Sequence, residues 1–418
     1  MLVCPGFGMA MVHVSKNLAG DWGSLWSSIR SEGLLSHITS IWPSCTNPRA
    51  LYLIFGFMAF EAFLTKVVPG KRFEATRTAM GNVPVYQANG MACYIITLFS
   101  LLLSKELGVC NPSEVYDLFP EIVSSLNVIS LLLCLWMLIQ GYYFPSTTDS
   151  GTNGSVIVDY YWGVDLYPKL ATFDIKMMTN CRFGMMYWAV GILCYAHKNM
   201  ELNNGIIQNG MAVNVLLQLI YIAKFFHWEM GYMCSMDIQH DRAGFYLCWG
   251  CLVWIPSVYT SHSFYLAENC PDMSDGLCLL TLVLGFVAIF INYDSDNQRY
   301  VFRQSGGNCH LWGSSTKPDW IVATYKAGSE TRTNLLLTSG WWSLSRHFHY
   351  VPELTAAFLW SSPARATSIV SGYFYFCFLL GLLTDRAFRD DDRCRNKYGK
   401  DWEKYCDLVP NKILPKLW

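Results

Sequence analysis

Leu277-Cys-Leu-Leu-Thr-Leu-Val-Leu-Gly-Phe-Val-Ala-Ile-Phe-Ile291, continued at once by Asn292-Tyr-Asp-Ser-Asp-Asn-Gln-Arg-Tyr-Val-Phe-Arg303, is the stretch that decides how this chain folds. Its first fifteen residues carry no charge, and a helix needs roughly 20 mostly apolar residues to cross a bilayer's hydrocarbon core. Six further runs repeat the pattern upstream, at Leu51–Leu64, Asn89–Leu103, Ile122–Ile139, Phe183–Ala196, Ile206–Phe226 and Ala243–Tyr259. Downstream, Val351–Trp360 and Ser368–Leu383 read as a helical hairpin, its first arm broken or re-entrant because of Pro352 and Glu353. Seven runs and a two-helix hairpin make nine spans, so the expected fold is an all-α, polytopic membrane protein of nine or ten transmembrane helices. Composition agrees: 52% of the 418 residues are hydrophobic and 15% charged, against about 25% charged in a soluble domain.

The loops alternate in basic content, and short loops rich in Lys and Arg stay cytosolic. Lys66, Lys71, Arg72 and Arg77 follow the first run, Lys105 alone lies in 104–120, and 260–276 holds acids but no base. Arg299, Arg303, Lys317, Lys326 and Arg332 then crowd 292–334. One orientation satisfies all of these, with 65–87, 140–182, 227–242, 292–334 and 385–418 in the cytosol. It also leaves the Asn153-Gly-Ser155 sequon cytosolic and therefore without glycan. Residues 1–50 hold no cleavable signal, because Met1–Val14 lacks a basic start and a cleavage site. They read as an amino-terminal segment with a truncated first helix, followed by transmembrane helices over 51–291 and a polar carboxy-terminal part over 292–418.

Several function classes drop out. The net charge of -1 provides no basic field to recruit nucleic acid. Most of the sixteen cysteines, such as Cys93, Cys134, Cys278 and Cys377, sit inside apolar runs and read as small buried hydrophobes. The Cys248/Cys251 pair has no second pair or histidine cluster beside it, and the segment from His227 to Arg242 lacks tight ligand spacing, so no metal is expected. Gly6-Phe-Gly8 follows no strand and opens no dinucleotide fingerprint, and no phosphate-binding P-loop occurs, which excludes a soluble Rossmann domain.

Chemistry-bearing residues concentrate in the last third. On a helix, Arg299 and Arg303 share one face, where two guanidiniums can grip a phosphate or simply mark the cytosolic end of a span. Trp341-Trp-Ser-Leu-Ser-Arg-His-Phe-His-Tyr350 offers flat faces suited to a nucleobase or nicotinamide, or equally to a membrane-interface belt. The last run exits as Asp385-Arg-Ala-Phe-Arg-Asp-Asp-Asp-Arg-Cys-Arg-Asn-Lys-Tyr398, with Arg386, Asp390 and Cys394 on one stripe. Acids between arginines can take ribose hydroxyls and phosphate, although a solvated salt-bridged helix end is the commoner meaning.

These residues, from Leu335-Leu-Leu-Thr-Ser-Gly-Trp-Trp342 through Arg346-His-Phe-His-Tyr350 to Trp402, resemble the sterol reductase family. The likeness extends upstream through Pro84–Gly90, Asn180-Cys-Arg-Phe-Gly184, Met236–Arg242 and Trp249-Gly250, and so covers about residues 50–418. Among the C-14, C-24(28) and C-7 reductases of that family, His347–Glu353 and Asp241–Cys251 are most similar to the plant-type C-7 branch. The resemblance implies an endoplasmic-reticulum membrane enzyme that uses NADPH to reduce the Δ7 bond of a 5,7-diene sterol such as 7-dehydrocholesterol. A Δ14 bond is the alternative, and a sterol-facing side within 51–291 is implied with it.

Carried over position by position, the resemblance puts Arg299 and Arg303 on phosphate, Leu337 and Trp342 around the adenosine or nicotinamide, and His349 and Tyr350 beside the ring. Arg386, Asp390, Cys394, Arg395, Asn396, Lys397, Tyr398 and Tyr405 complete the implied NADPH site. Tyr221 matches the tyrosine the family uses as proton donor, with Asp390 in support. Departures are Arg299 in place of a common Lys, Ser343 for Gly, His349 for Asn and Gln87 for Lys. Three rivals stay open: a non-catalytic sterol-binding membrane protein, a membrane methyltransferase using S-adenosylmethionine, and a transporter, the last weakened by the scarcity of mid-span charges beyond Glu61 and Lys224.

Overall fold

Helix boundaries follow local chemistry. Asn47 caps the first long apolar helix by accepting from the Arg49 and Ala50 amides at 3.0 and 3.3 Å, with Pro48 in the first turn, where a missing N–H matters least. The computed structural model describes residues 1, 3–78, 80–327, 330–365 and 367–416. The chain forms two compact units, one from Met1–Asp275 with Ser361–Tyr375, the other from Gly276–Trp360 with Phe376 onward.

The first unit contains α1 (Val3–Asn17), α2 (Pro48–Val67), α3 (Gly90–Glu106), α4 (Phe119–Tyr143), α5 (Met186–Leu202), α6 (Asn209–His227) and α7 (Ser261–Asn269). Two of the expected spans depart from regular helix: α5 continues from a π-helical segment, Met178–Met185, and α7 follows another, Phe245–Tyr259. The two π-helical segments pack against each other at Gly184. A Cβ there would stand 2.7 Å from the Cys251 carbonyl oxygen, so only glycine admits the approach. Below this crossing, Tyr116, Phe119, Tyr195 and Phe264 stack into an aromatic core with centroids 4.5 to 5.9 Å apart.

The second unit is built on α8 (Asp275–Gln304), α9 (Tyr350–Ser361), the distal half of α10 (Ile369–Tyr398) and α11 (Lys400–Leu408). Residues 350–361 form a regular helix rather than a broken arm. Pro352 lies in the first turn, where no intrahelical donor is lost, and Glu353 complements the helix's positive end. Within the otherwise all-α chain a long antiparallel hairpin appears, Trp320–Ala327 against Glu330–Leu337, with Thr324 opposite Thr333. Shorter ladders join Lys71–Glu74 to Val85–Ala88 and Lys169–Leu170 to Phe173–Asp174.

Among the described residues, five helices, α2, α4, α6, α8 and α10, are long and apolar enough to cross a bilayer. Leu279, Leu280, Val283, Leu284, Phe286, Val287 and Phe290 of α8 all stand exposed. So continuous an apolar surface is stable only against lipid, and the chain is a polytopic helical membrane protein.

Candidate functional site

In the second unit, α8 presents acceptors and cations in successive turns. The Asp294 carboxylate accepts from Trp341 Nε1 at 2.7 Å, Trp312 Nε1 at 3.0 Å and Gln298 Nε2 at 3.1 Å. Gln298 Oε1 accepts from the Trp341 amide at 3.1 Å, and Trp342 Nε1 donates to the Ser295 carbonyl at 2.9 Å. These bonds fix the 3₁₀ turn Gly340–Ser343 to the helix. Gly340 adopts φ +64°, and a Cβ on it would overlap Gln298 Oε1. With its indole anchored, buried Trp342 turns its face to Arg299, whose guanidinium carbon lies 4.3 Å from the ring centroid, a cation–π distance.

One turn on, Arg303 lies in electrostatic reach of Arg299, Tyr398, Tyr405 and Cys394. Among the described residues Arg303 makes neither an ion pair nor a hydrogen bond, and Arg299 has Asp296 at 3.7 Å. Two adjacent guanidiniums with so little opposing charge form a donor set for an anion.

Residues 347–350 add an aromatic shelf. His347 and Tyr350 stack at 5.2 Å and 10°, while His349 lies 4.3 Å from Tyr350 and 5.2 Å from Trp342, measured between ring centroids. Asn292 Nδ2 holds the His349 carbonyl at 2.9 Å. Burial pushes the His347 imidazole down to about 4, against the opposing pull of Asp390, whose Oδ2 is 3.9 Å away. Asp390 Oδ1 accepts from Arg393 Nη2 at 2.6 Å.

The hairpin closes the group. Tyr405 donates its hydroxyl proton to the Leu337 carbonyl at 3.1 Å, and burial pushes that phenol up to about 12. Asn334 Nδ2 donates to the Tyr398 hydroxyl at 2.9 Å, and the Thr324 amide donates to Asp401 Oδ2 at 3.0 Å. Lys397 Nζ sits 4.0 Å from the Tyr325 ring.

Every residue singled out in the sequence for a nucleotide therefore falls in this unit. Arg299, Trp342, His349, Tyr350, His347 and Asp390 form one chain of contacts, and Arg303 lies within electrostatic reach of Arg299, Tyr398, Tyr405 and Cys394. Arg395 and Asn396 lie on the exposed side of α10, and Arg386 is half-buried one turn before Asp390. Sequence reasoning missed Asp294, Gln298, Asn334, Arg346, Asp391 and Lys412. The alternation of β-branched and aromatic residues in Trp320–Ala327 was the available signal for the hairpin that positions Asn334.

Tyr221 belongs to the first unit, half-buried on α6 with its ring 5.8 Å from that of Trp188. The first unit also unites three of the quoted motifs. Arg182 is fully buried and pairs with Glu229, while its Nη2 donates to Asn89 Oδ1 at 2.8 Å and Glu229 Oε2 accepts from the Gly90 amide at 2.8 Å. Glu229, one of the acids in the segment from His227 to Arg242, is committed to this ion pair.

A polytopic helical membrane protein with a pair of guanidiniums beside an aromatic-lined group in its carboxy-terminal unit is the class these features define. The chain belongs to the ergosterol biosynthesis ERG4/ERG24 family of sterol reductases, whose family model matches residues 2–418. It is 48% identical, over 99% of its length and 95% of the relative's, to a 7-dehydrocholesterol reductase of Arabidopsis thaliana. A 7-dehydrocholesterol reductase of Danio rerio is 32% identical over 87% of this chain and 76% of its own. A Δ(14)-sterol reductase of Methylotuvimicrobium alcaliphilum is 30% identical over 86% and 81% respectively.

Proposed function

We propose that this chain reduces a sterol ring double bond with NADPH, and that the bond is Δ7 of a 5,7-diene such as 7-dehydrocholesterol. The observation that carries the reading is the 48% identity, across nearly the whole length of both chains, to a relative of that name. The donor set supports the cofactor: Arg303 without a counter-ion beside Arg299 suits a phosphate, and the Trp342, His349 and Tyr350 faces suit planar rings. Leu337 would border the adenosine or nicotinamide, and Arg386, Asp390, Cys394–Tyr398 and Tyr405 would complete the enclosure.

NADPH held there would supply hydride. An isolated alkene accepts hydride only as positive charge develops on one of its carbons, so an acid must act as well. In this reading Tyr221 would give its phenolic proton to one carbon of the alkene, leaving in a 5,7-diene an allylic cation that the hydride supplied by NADPH would neutralise. Asp390 serves in relay or in orienting the cofactor. Because a phenol ordinarily titrates near about 10, it carries its proton at neutral pH and can serve as a general acid. Loop charges favour a carboxy terminus in the cytosol, and the family likeness favours the endoplasmic-reticulum membrane.

Relatives named Δ(14)-sterol reductases keep a second reading in view. Expressing the chain in yeast that lacks sterol reductases of its own, feeding Δ7, Δ14 and Δ24(28) sterols, and analysing products separates the two. Loss of the Δ7 bond alone is the expected result, and a Δ14-only product profile would transfer the assignment.

A further inference from the structure

Asp391, next in sequence to Asp390, is almost completely enclosed, whereas Asp390 keeps part of its carboxylate open. Asp391 Oδ1 accepts from Trp402 Nε1 at 3.2 Å and lies 3.5 Å from Arg346 Nε, while Oδ2 stands 3.5 Å from Lys412 Nζ and 3.6 Å from Arg395 Nη2. One carboxylate thus faces three cations, and a guanidinium buried like that of Arg346 is tolerable only with such a partner. Arg346 also reaches the carboxy-terminal strap, donating through Nη1 to the Val409 and Pro410 carbonyls at 2.7 and 3.0 Å.

The strap is tied to the segment before the aromatic shelf at several further points. The Arg346 and His347 amides donate to the Asn411 and Lys412 carbonyls at 3.0 and 2.9 Å, and Ser345 Oγ donates to the Ile413 carbonyl at 2.7 Å. Asn411 Nδ2 returns a bond to the Leu344 carbonyl at 3.1 Å. His347, at the end of this tie, stacks on Tyr350, so the placement of the shelf depends on where Arg346 and the strap are held.

We propose that Asp391 is a positioning residue: by gathering Arg346, Arg395, Lys412 and Trp402 it sets the His347–Tyr350 shelf for the nucleotide ring. The inference rests on the NADPH reading above. It makes the carboxy-terminal strap a support of the cofactor site.

The test is steady-state kinetics of the full chain in membranes for Asp391→Asn, Asp391→Glu and Lys412→Met, with Arg303→Ala alongside. Asp391→Asn is expected to raise KM for NADPH about tenfold while KM for sterol holds, and Asp391→Glu to return it to within about threefold of wild type. If Arg303→Ala weakens NADPH binding but Asp391→Asn leaves both KM values alone, or raises both alike, the positioning role is overturned and the cofactor reading stands. If Arg303→Ala leaves nucleotide affinity untouched, the cofactor reading falls and takes this inference with it. Should Asp391→Asn not accumulate, Lys412→Met decides: a raised NADPH KM with unchanged sterol KM supports the role, and an unchanged NADPH KM overturns it.

Discussion

Arg303 matters because, among the described residues, it is a cation without a counter-charge. Removing it should weaken NADPH binding about ten- to a hundredfold, the scale of a lost charge-assisted contact, with little effect on folding, since no native ion pair is broken. Nucleotide titration of Arg303→Ala in membranes checks this. Tyr221→Phe should lower turnover about a hundredfold or more while sterol binding persists, and full activity in that variant would remove Tyr221 from the acid's role. His347 carries a pH consequence. Its folded-state pKa, about 4, lies below the unfolded value near 6.5, so the unfolded chain binds the extra proton first. Stability contributed here is intact above pH about 6.5 and declines as pH falls through the window down to about 4. Thermal unfolding across that window should show a smaller acid loss in His347→Gln than in the parent.

Elements show where sequence reading succeeds and where it stops. The long apolar runs were legible because twenty residues without charge have few alternatives to a spanning helix. The π-helical turns were not, since Met178–Met185 and Phe245–Tyr259 are dictated by their mutual approach at Gly184 rather than by periodicity. Among site residues, Arg299, Arg303 and Trp342 could be chosen from spacing and a family likeness. Asp294, Gln298 and Asp391 could not, because, apart from the one-turn pairs Asp294–Gln298 and Asp391–Arg395, their partners lie 11 to 47 residues away in the chain. Asp390 attracted attention by its stripe, yet the neighbouring Asp391 is the acid that packing encloses. The turn at Gly340 supplies a test at this scale. Gly340→Ala combines a left-handed backbone with an overlap on Gln298, so a loss of about 1–3 kcal/mol in stability is expected. Indole fluorescence from Trp341 and Trp342 should change with it, since both are fixed by this turn.

At the scale of the whole molecule, the exposed apolar helix faces require a lipid surround, and the proposed orientation puts the basic loops and the carboxy terminus on the cytosolic side. Digestion of sealed microsomes should remove a carboxy-terminal epitope without detergent, and a protected epitope would reverse the orientation. The π-helical stretch at Met178–Met185 has a separate consequence for how this chain can diverge. Each π turn holds an extra residue relative to an α turn, so deleting one residue there would restore ordinary winding and swing Arg182 about 100° away from Glu229. The loop 107–112 can change length without disturbing a helix, but this segment tolerates exchange of a side chain far better than loss of a residue.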